Sequence, residues 1–143
     1  MERQEFLKTL GISFAAVCAG SCLSACGKDD ATPAPAPPTG STVSANLSDL
    51  STIGAKVIVG GVAFFRIAAG DTASSFIATQ PLCTHQSGNL NWVQSSNVIR
   101  CQSHSAEFNS AGVNTKPPQS SGSAGDLKTF VVTVTGAKVN AKV

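Results

Sequence analysis

Two short stretches of this chain carry its chemistry: Cys83-Thr84-His85 and Cys101-Gln102-Ser103-His104. Together they spell C-x-H and C-x-x-H, with residues 86–100 between them. The chain has only two histidines, and both fall inside this pattern. A cysteine so close to a histidine lets one turn of backbone present a thiolate and an imidazole together. Two thiolates and two imidazoles make a four-donor set of the kind that binds zinc or iron.

Such donors must be held by something rigid. From Val43 onward the pattern is of short β-strands punctuated by Gly, Ser and Asn, with candidates at 43–47, 56–59, 62–68, 75–79, 97–100, 128–135 and 138–143. The clearest runs from Lys128 to Thr135, where Phe130, Val132 and Val134 alternate with Thr129, Val131 and Thr133. Thr135-Gly136-Ala137 reads as the turn of a closing hairpin into Val139, Ala141 and Val143, and Gly60-Gly61 as an earlier turn. No segment after residue 43 keeps a helical period. The expected fold is therefore all-β, with packed antiparallel sheets and the two ligand loops at one end. Trp92, between the loops, is expected to pack at their base. The polar stretch Gln119 to Asp126 reads as a mobile flap over the ligand loops or as a floppy surface insertion, and the insertion is expected because little in it is apolar enough to pack.

At 143 residues the chain has room for one domain with a modest core. Charged residues are 13%, Tyr is absent and the net charge is +2. Without a basic cluster or stacking aromatics, no nucleic-acid partner is expected. Residues 1–25 read as an export signal too short to span a membrane, a polar start carrying Arg3 and Lys8 before a small apolar run. Leu23-Ser24-Ala25-Cys26 resembles a lipobox, which makes Cys26 the expected acylated residue. The segment Arg3-Gln4-Glu5-Phe6-Leu7-Lys8 resembles a twin-arginine signal in which Gln4 replaces the second arginine. Residues 26–42 then form an acylated Cys and a Pro/Ala-rich tether, and residues 43–143 the folded domain. The expected location is an exported, membrane-anchored lipoprotein, on the periplasmic side or at the cell surface. Cys18 and Cys22 leave with the signal, so Cys83 and Cys101 remain.

A disulfide between those two would suit an exported protein but leave both imidazoles without a role. A structural zinc site would make the chain a binding or scaffold lipoprotein, although zinc sites usually pair like ligands as C-x₂₋₄-C and H-x₃₋₅-H. The alternation seen here resembles the Rieske [2Fe–2S] signature, in which two cysteines hold one iron and two histidines the other. Val98-Ile99 leading into Cys101, then Phe108, Gly112-Val113, Pro117-Pro118 and Leu127, fit the same pattern. The resemblance covers roughly residues 43–143. It implies Cys83, His85, Cys101 and His104 as metal ligands, a [2Fe–2S] cluster as cofactor, and Pro117-Pro118 in a loop covering it. The implied function is one-electron transfer, as a carrier or as the small subunit of an exported oxidoreductase system. Partners would be redox donor and acceptor proteins, or a larger oxidoreductase subunit.

Departures from the family pattern refine the expectation. The quinol-oxidising branch has an extra disulfide between its ligand loops, where this chain has Gly88 and Ser103. The same branch donates hydrogen bonds from a Ser and a Tyr near the cluster, and here Ala106 and Phe108 stand in those places. Ser105 replaces the usual Gly after the second histidine. These residues bring the chain closer to the Rieske ferredoxin branch, with a lower potential. A Rieske oxygenase would need further histidines for a mononuclear iron, and none is left.

Overall fold

The computed structural model describes residues 38–143. The expected signal segment, Cys26 and most of the tether lie outside these residues. Ten strands form: β1 (Thr42–Asn46), β2 (Lys56–Val59), β3 (Val62–Arg66), β4 (Phe76–Thr79), β5 (Leu90–Val93), β6 (Val98–Cys101), β7 (Glu107–Phe108), β8 (Asn114–Lys116), β9 (Thr129–Thr135) and β10 (Lys138–Lys142). Two short 3-10 turns, Leu47–Leu50 and Ala73–Ser75, are the only helical pieces among the described residues. No helix there is long and apolar enough to cross a membrane.

All pairings are antiparallel, and they make two sheets. The larger has six strands in the order β1-β10-β9-β4-β3-β2, and the smaller has four in the order β5-β6-β7-β8. The outer strands of the larger sheet curl toward each other: a Cβ added to Gly60, just after β2, would stand 3.3 Å from Val43 Cγ1 in β1.

The expected closing hairpin is present, with Gly136 at φ 57° in its turn, and Gly60 and Gly61 make the β2–β3 turn at φ 52° and 78°. Strands β5, β7 and β8 were not among the sequence-based candidates. β7 is two residues long and β8 is Asn-Thr-Lys, so neither offers an alternation long enough to register. β3 stops at Arg66, short of the expected residue 68, although the Ile67 amide still donates to the Ser75 carbonyl at 2.8 Å in the register set by Arg66 and Phe76.

β3 belongs to the larger sheet, and all five of its residues are buried, so both of its faces are covered. Side chains alternate across a strand, so its two faces serve different cores. Val62 and Phe64 enter the interior of the larger sheet with Ala45, Leu50, Phe76, Ala78, Val139 and Ala141. Ala63 and Phe65 face the other way, joining Ile77, Leu90, Trp92, Ile99, Phe108 and Leu127. That second core also contains Cys83 and Cys101. Trp92 thus packs beneath the ligand loops as expected, with its indole N–H donating to Gln94 Oε1 at 2.8 Å. Burying a phenylalanine such as Phe64 or Phe65 contributes on the order of 2–3 kcal/mol.

Arg66 ends β3 and is 9% exposed. Its guanidinium donates to the carbonyls of Leu50, Ala68 and Gly70 and to the Asp71 carboxylate, and lies 5.1 Å from the centre of the Phe76 ring. Arg66→Met keeps the apolar stem but leaves the Leu50 carbonyl unpaired inside the protein. Urea denaturation should show a loss of about 2–3 kcal/mol. A loss under about 0.5 kcal/mol, typical of surface positions, would contradict this role for Arg66.

Candidate metal centre

The two ligand loops are built from one backbone turn used twice. In the first, between β4 and β5, the Cys83 amide donates to the Gly88 carbonyl (2.9 Å) and the Ser87 amide to the Cys83 carbonyl (3.0 Å). In the second, between β6 and β7, the Cys101 amide donates to the Ala106 carbonyl (2.8 Å) and the Ser105 amide to the Cys101 carbonyl (3.0 Å). Each turn closes with a serine in the left-handed region, Ser87 at φ 54° and Ser105 at φ 57°. Ser105 therefore adopts the backbone that favours glycine, at a cost on the order of 1 kcal/mol. Histidine occupies the third position of one turn and the fourth of the other, so the two imidazoles start from different points.

The loops are fastened side by side. The Gln102 amide donates to the Asn89 carbonyl at 2.9 Å, and Leu90 pairs with Cys101 in the β5–β6 register. Gly88 allows this approach. A Cβ there would lie 2.6 Å from Cys101 Sγ and 2.5 Å from Ser103 Oγ.

Cys83 and Cys101 are 4% and 2% exposed, unbridged, and within hydrogen-bonding reach of each other. Burial pushes the Cys83 thiol up, and the neighbouring Cys101 adds to the rise, while the His85 and Gln86 amides pull the other way. The imidazoles of His85 and His104 meet edge to face, with centroids 5.0 Å apart and planes at 80°. Both Nδ1 atoms are buried and have no hydrogen-bond partner. His85 Nε2 lies 3.0 Å from the Ser121 carbonyl oxygen. A carbonyl can only accept, so His85 carries its proton on Nε2 and keeps the Nδ1 lone pair free.

A buried polar atom without a partner is costly unless something bound there satisfies it. Two buried, unpartnered imidazole nitrogens beside two buried thiols are a donor set that a thiolate- and imidazole-ligated iron–sulfur cluster fits. Among the described residues no three Cys, His, Asp or Glu side chains gather closely enough to hold a single ion.

The stretch from Gln119 to Asp126 corrects one expectation, because it is tied down and not loose. The Gln119 amide donates to the His104 carbonyl (2.7 Å), His85 Nε2 to the Ser121 carbonyl (3.0 Å), and Thr84 Oγ1 to the Gly125 carbonyl (2.6 Å). Asp126 accepts from the Asn114 amide at 2.8 Å. Gly122, at φ 102°, lies so close that an added Cβ would stand 3.1 Å from His85 Nε2. Apolar content was the wrong guide, since polar contacts hold this loop. Thr84, Ser121 and Gly122 were missed for that reason; the only sequence signal was a Ser/Gly run from Ser120, separated from Pro117-Pro118 by Gln119.

Two antiparallel sheets bring the paired Cys and His turns together, an arrangement that fits a metal centre of mixed thiolate and imidazole ligation. A family model for the Rieske [2Fe-2S] domain matches residues 42–132, and the chain belongs to that family. Its cofactor is the [2Fe–2S] cluster, and its class is that of Rieske electron-transfer proteins. Among solved structures it is similar to the plasma membrane Rieske protein PetC3 of the cyanobacterium Synechocystis PCC 6803, at 25% identity and a TM-score of 0.52. That match covers 68% of this chain and 95% of the other. No curated protein matches the sequence.

Proposed function

We propose that Cys83 and Cys101 hold one iron through Sγ and that His85 and His104 hold the other through Nδ1. The observation that carries this is the coincidence of two buried, unbridged thiols with two buried, unpartnered Nδ1 atoms. When bound, the cluster takes up and returns one electron, at potentials of roughly −150 to +300 mV for centres of this ligation. The chain's residues prepare that exchange. Burial keeps water from both sulfurs, and loading the metal displaces the thiol protons. The Ser121 carbonyl fixes the tautomer and orientation of His85. No described hydrogen bond engages the outer nitrogen of His104, so that imidazole offers an edge to a redox partner.

The protein acts as a membrane-tethered carrier, or as the small subunit of an exported oxidoreductase system. An acylated Cys26 would hold it to the membrane, and the Pro/Ala-rich segment after it would serve as the tether, ending where Gly40 and Ser41 are hydrogen-bonded to Val143. That PetC3 is a plasma membrane Rieske protein supports membrane association. EPR of the dithionite-reduced mature protein tests the cluster assignment. A rhombic signal with the low average g of a His-ligated [2Fe–2S] centre is expected; a silent spectrum with stoichiometric zinc would end the assignment.

The same titration tests the branch. Ala106 and Phe108 share the inter-sheet core with both cysteines, and neither has a hydroxyl to donate. The midpoint is expected in the lower half of the family's range, below about +75 mV. A value near the top would contradict a ferredoxin-like role.

A further inference from the structure

Three buried side-chain polar atoms among the described residues have no hydrogen-bond partner: His85 Nδ1, His104 Nδ1 and Ser120 Oγ. The first two are the nitrogens assigned above to iron. Ser120 comes from a different part of the chain, the loop that covers the site, yet it is left in the same condition. Its two neighbours say where it sits. The Gln119 amide donates to the His104 carbonyl at 2.7 Å, and the Ser121 carbonyl accepts from His85 Nε2 at 3.0 Å. Ser120 is therefore strung between the two ligand histidines, with its hydroxyl oxygen shut off from solvent.

A buried hydroxyl needs an acceptor for its proton. The two Nδ1 lone pairs are committed to iron once the centre is loaded, and no protein oxygen is in reach. What a loaded site adds is sulfide; the two cysteine sulfurs are already in place, and Ser120 Oγ makes no hydrogen bond to either. We propose that Ser120 donates a hydrogen bond from Oγ to a sulfur of the cluster and so raises its reduction potential. This rests on the assignment of Cys83, His85, Cys101 and His104 as ligands.

The sign follows from charge. Reduction adds one negative charge, which resides partly on the sulfurs, and a donated proton stabilises that state more than the oxidised one. Ser120 thus supplies from the covering loop a hydroxyl that the chain lacks at Ala106 and Phe108.

The test is an EPR-monitored redox titration of the loaded wild-type protein beside Ser120→Ala, Ser120→Gly and Ser120→Thr. Loss of the hydroxyl in the Ala and Gly variants should shift the reduction equilibrium about tenfold toward the oxidised form. For one electron that is a midpoint about 59 mV lower. Ser120→Thr, which keeps the hydroxyl, should stay with wild type. If the Ala and Gly variants load the cluster and titrate at the wild-type potential, the inference is overturned while the ligand assignment stands. A wild-type protein that loads no cluster overturns both.

Discussion

Cys101→Ser is expected to abolish cluster binding while leaving the larger sheet folded. Cys101 is 2% exposed, and its main chain is fixed on both sides, in β6 and through the Ala106 carbonyl. No other cysteine among the described residues besides Cys83 can take its place. Serine keeps the size but lacks a thiolate for iron. Outer-sphere changes at metal sites typically cost 10–100-fold in affinity, so loss of a direct ligand should exceed about 100-fold. The EPR signal and the visible absorption should both fall to background. The core enclosed by the six-stranded sheet draws on a different set of side chains, Val62, Phe64, Phe76 and Val139 among them. Far-UV circular dichroism should therefore keep its β-sheet signal. Melting should begin at a lower temperature, because a group bound only to the folded state stabilises it. Iron retained at wild-type stoichiometry would remove Cys101 from the ligand set.

Gly88→Ala should have nearly the same effect on loading through a single methyl group. Its Cβ would stand 2.6 Å from Cys101 Sγ and 2.5 Å from Ser103 Oγ. Ser103 is exposed and its hydroxyl can rotate away. Cys101 Sγ cannot, since it is buried and, as a proposed ligand, would be committed to the centre. The loops must then separate, and overpacking of this kind costs about 1–3 kcal/mol before any loss of metal. Gly125→Ala is the control, because a Cβ there meets nothing within 4 Å. Iron per protein and thermal melting should drop for Gly88→Ala and hold for Gly125→Ala. Equal loading and melting of the two would refute the steric argument.

The fold class, the closing hairpin and the loop position of the ligand motifs were legible in the sequence because each is local. Alternation from Lys128 to Thr135 can be read without knowing what the strand packs against, and β9 carries it out in full. Strand β5, Leu-Asn-Trp-Val, was not legible in the same way. Its Leu90 and Trp92 are buried by the face of β3 and β4 that the larger sheet leaves uncovered. That face exists only once the larger sheet has formed.

The site divides along the same line. Which residues could bind metal was evident from the sequence, because a turn of four or five residues sets the reach from cysteine to histidine. The family pattern followed from that spacing. What surrounds the site was decided in three dimensions. Ser87 and Ser105 close matching turns, and Gly88 is the contact point between them. The Gln119–Asp126 stretch became a fastened cover, and Ser120 was buried with no protein partner. These outcomes depend on hydrogen bonds to backbone carbonyls far along the chain, such as Thr84 to Gly125. Every residue type carries such a carbonyl, so composition does not mark it. Only the folded chain determines which carbonyl arrives beside which side chain.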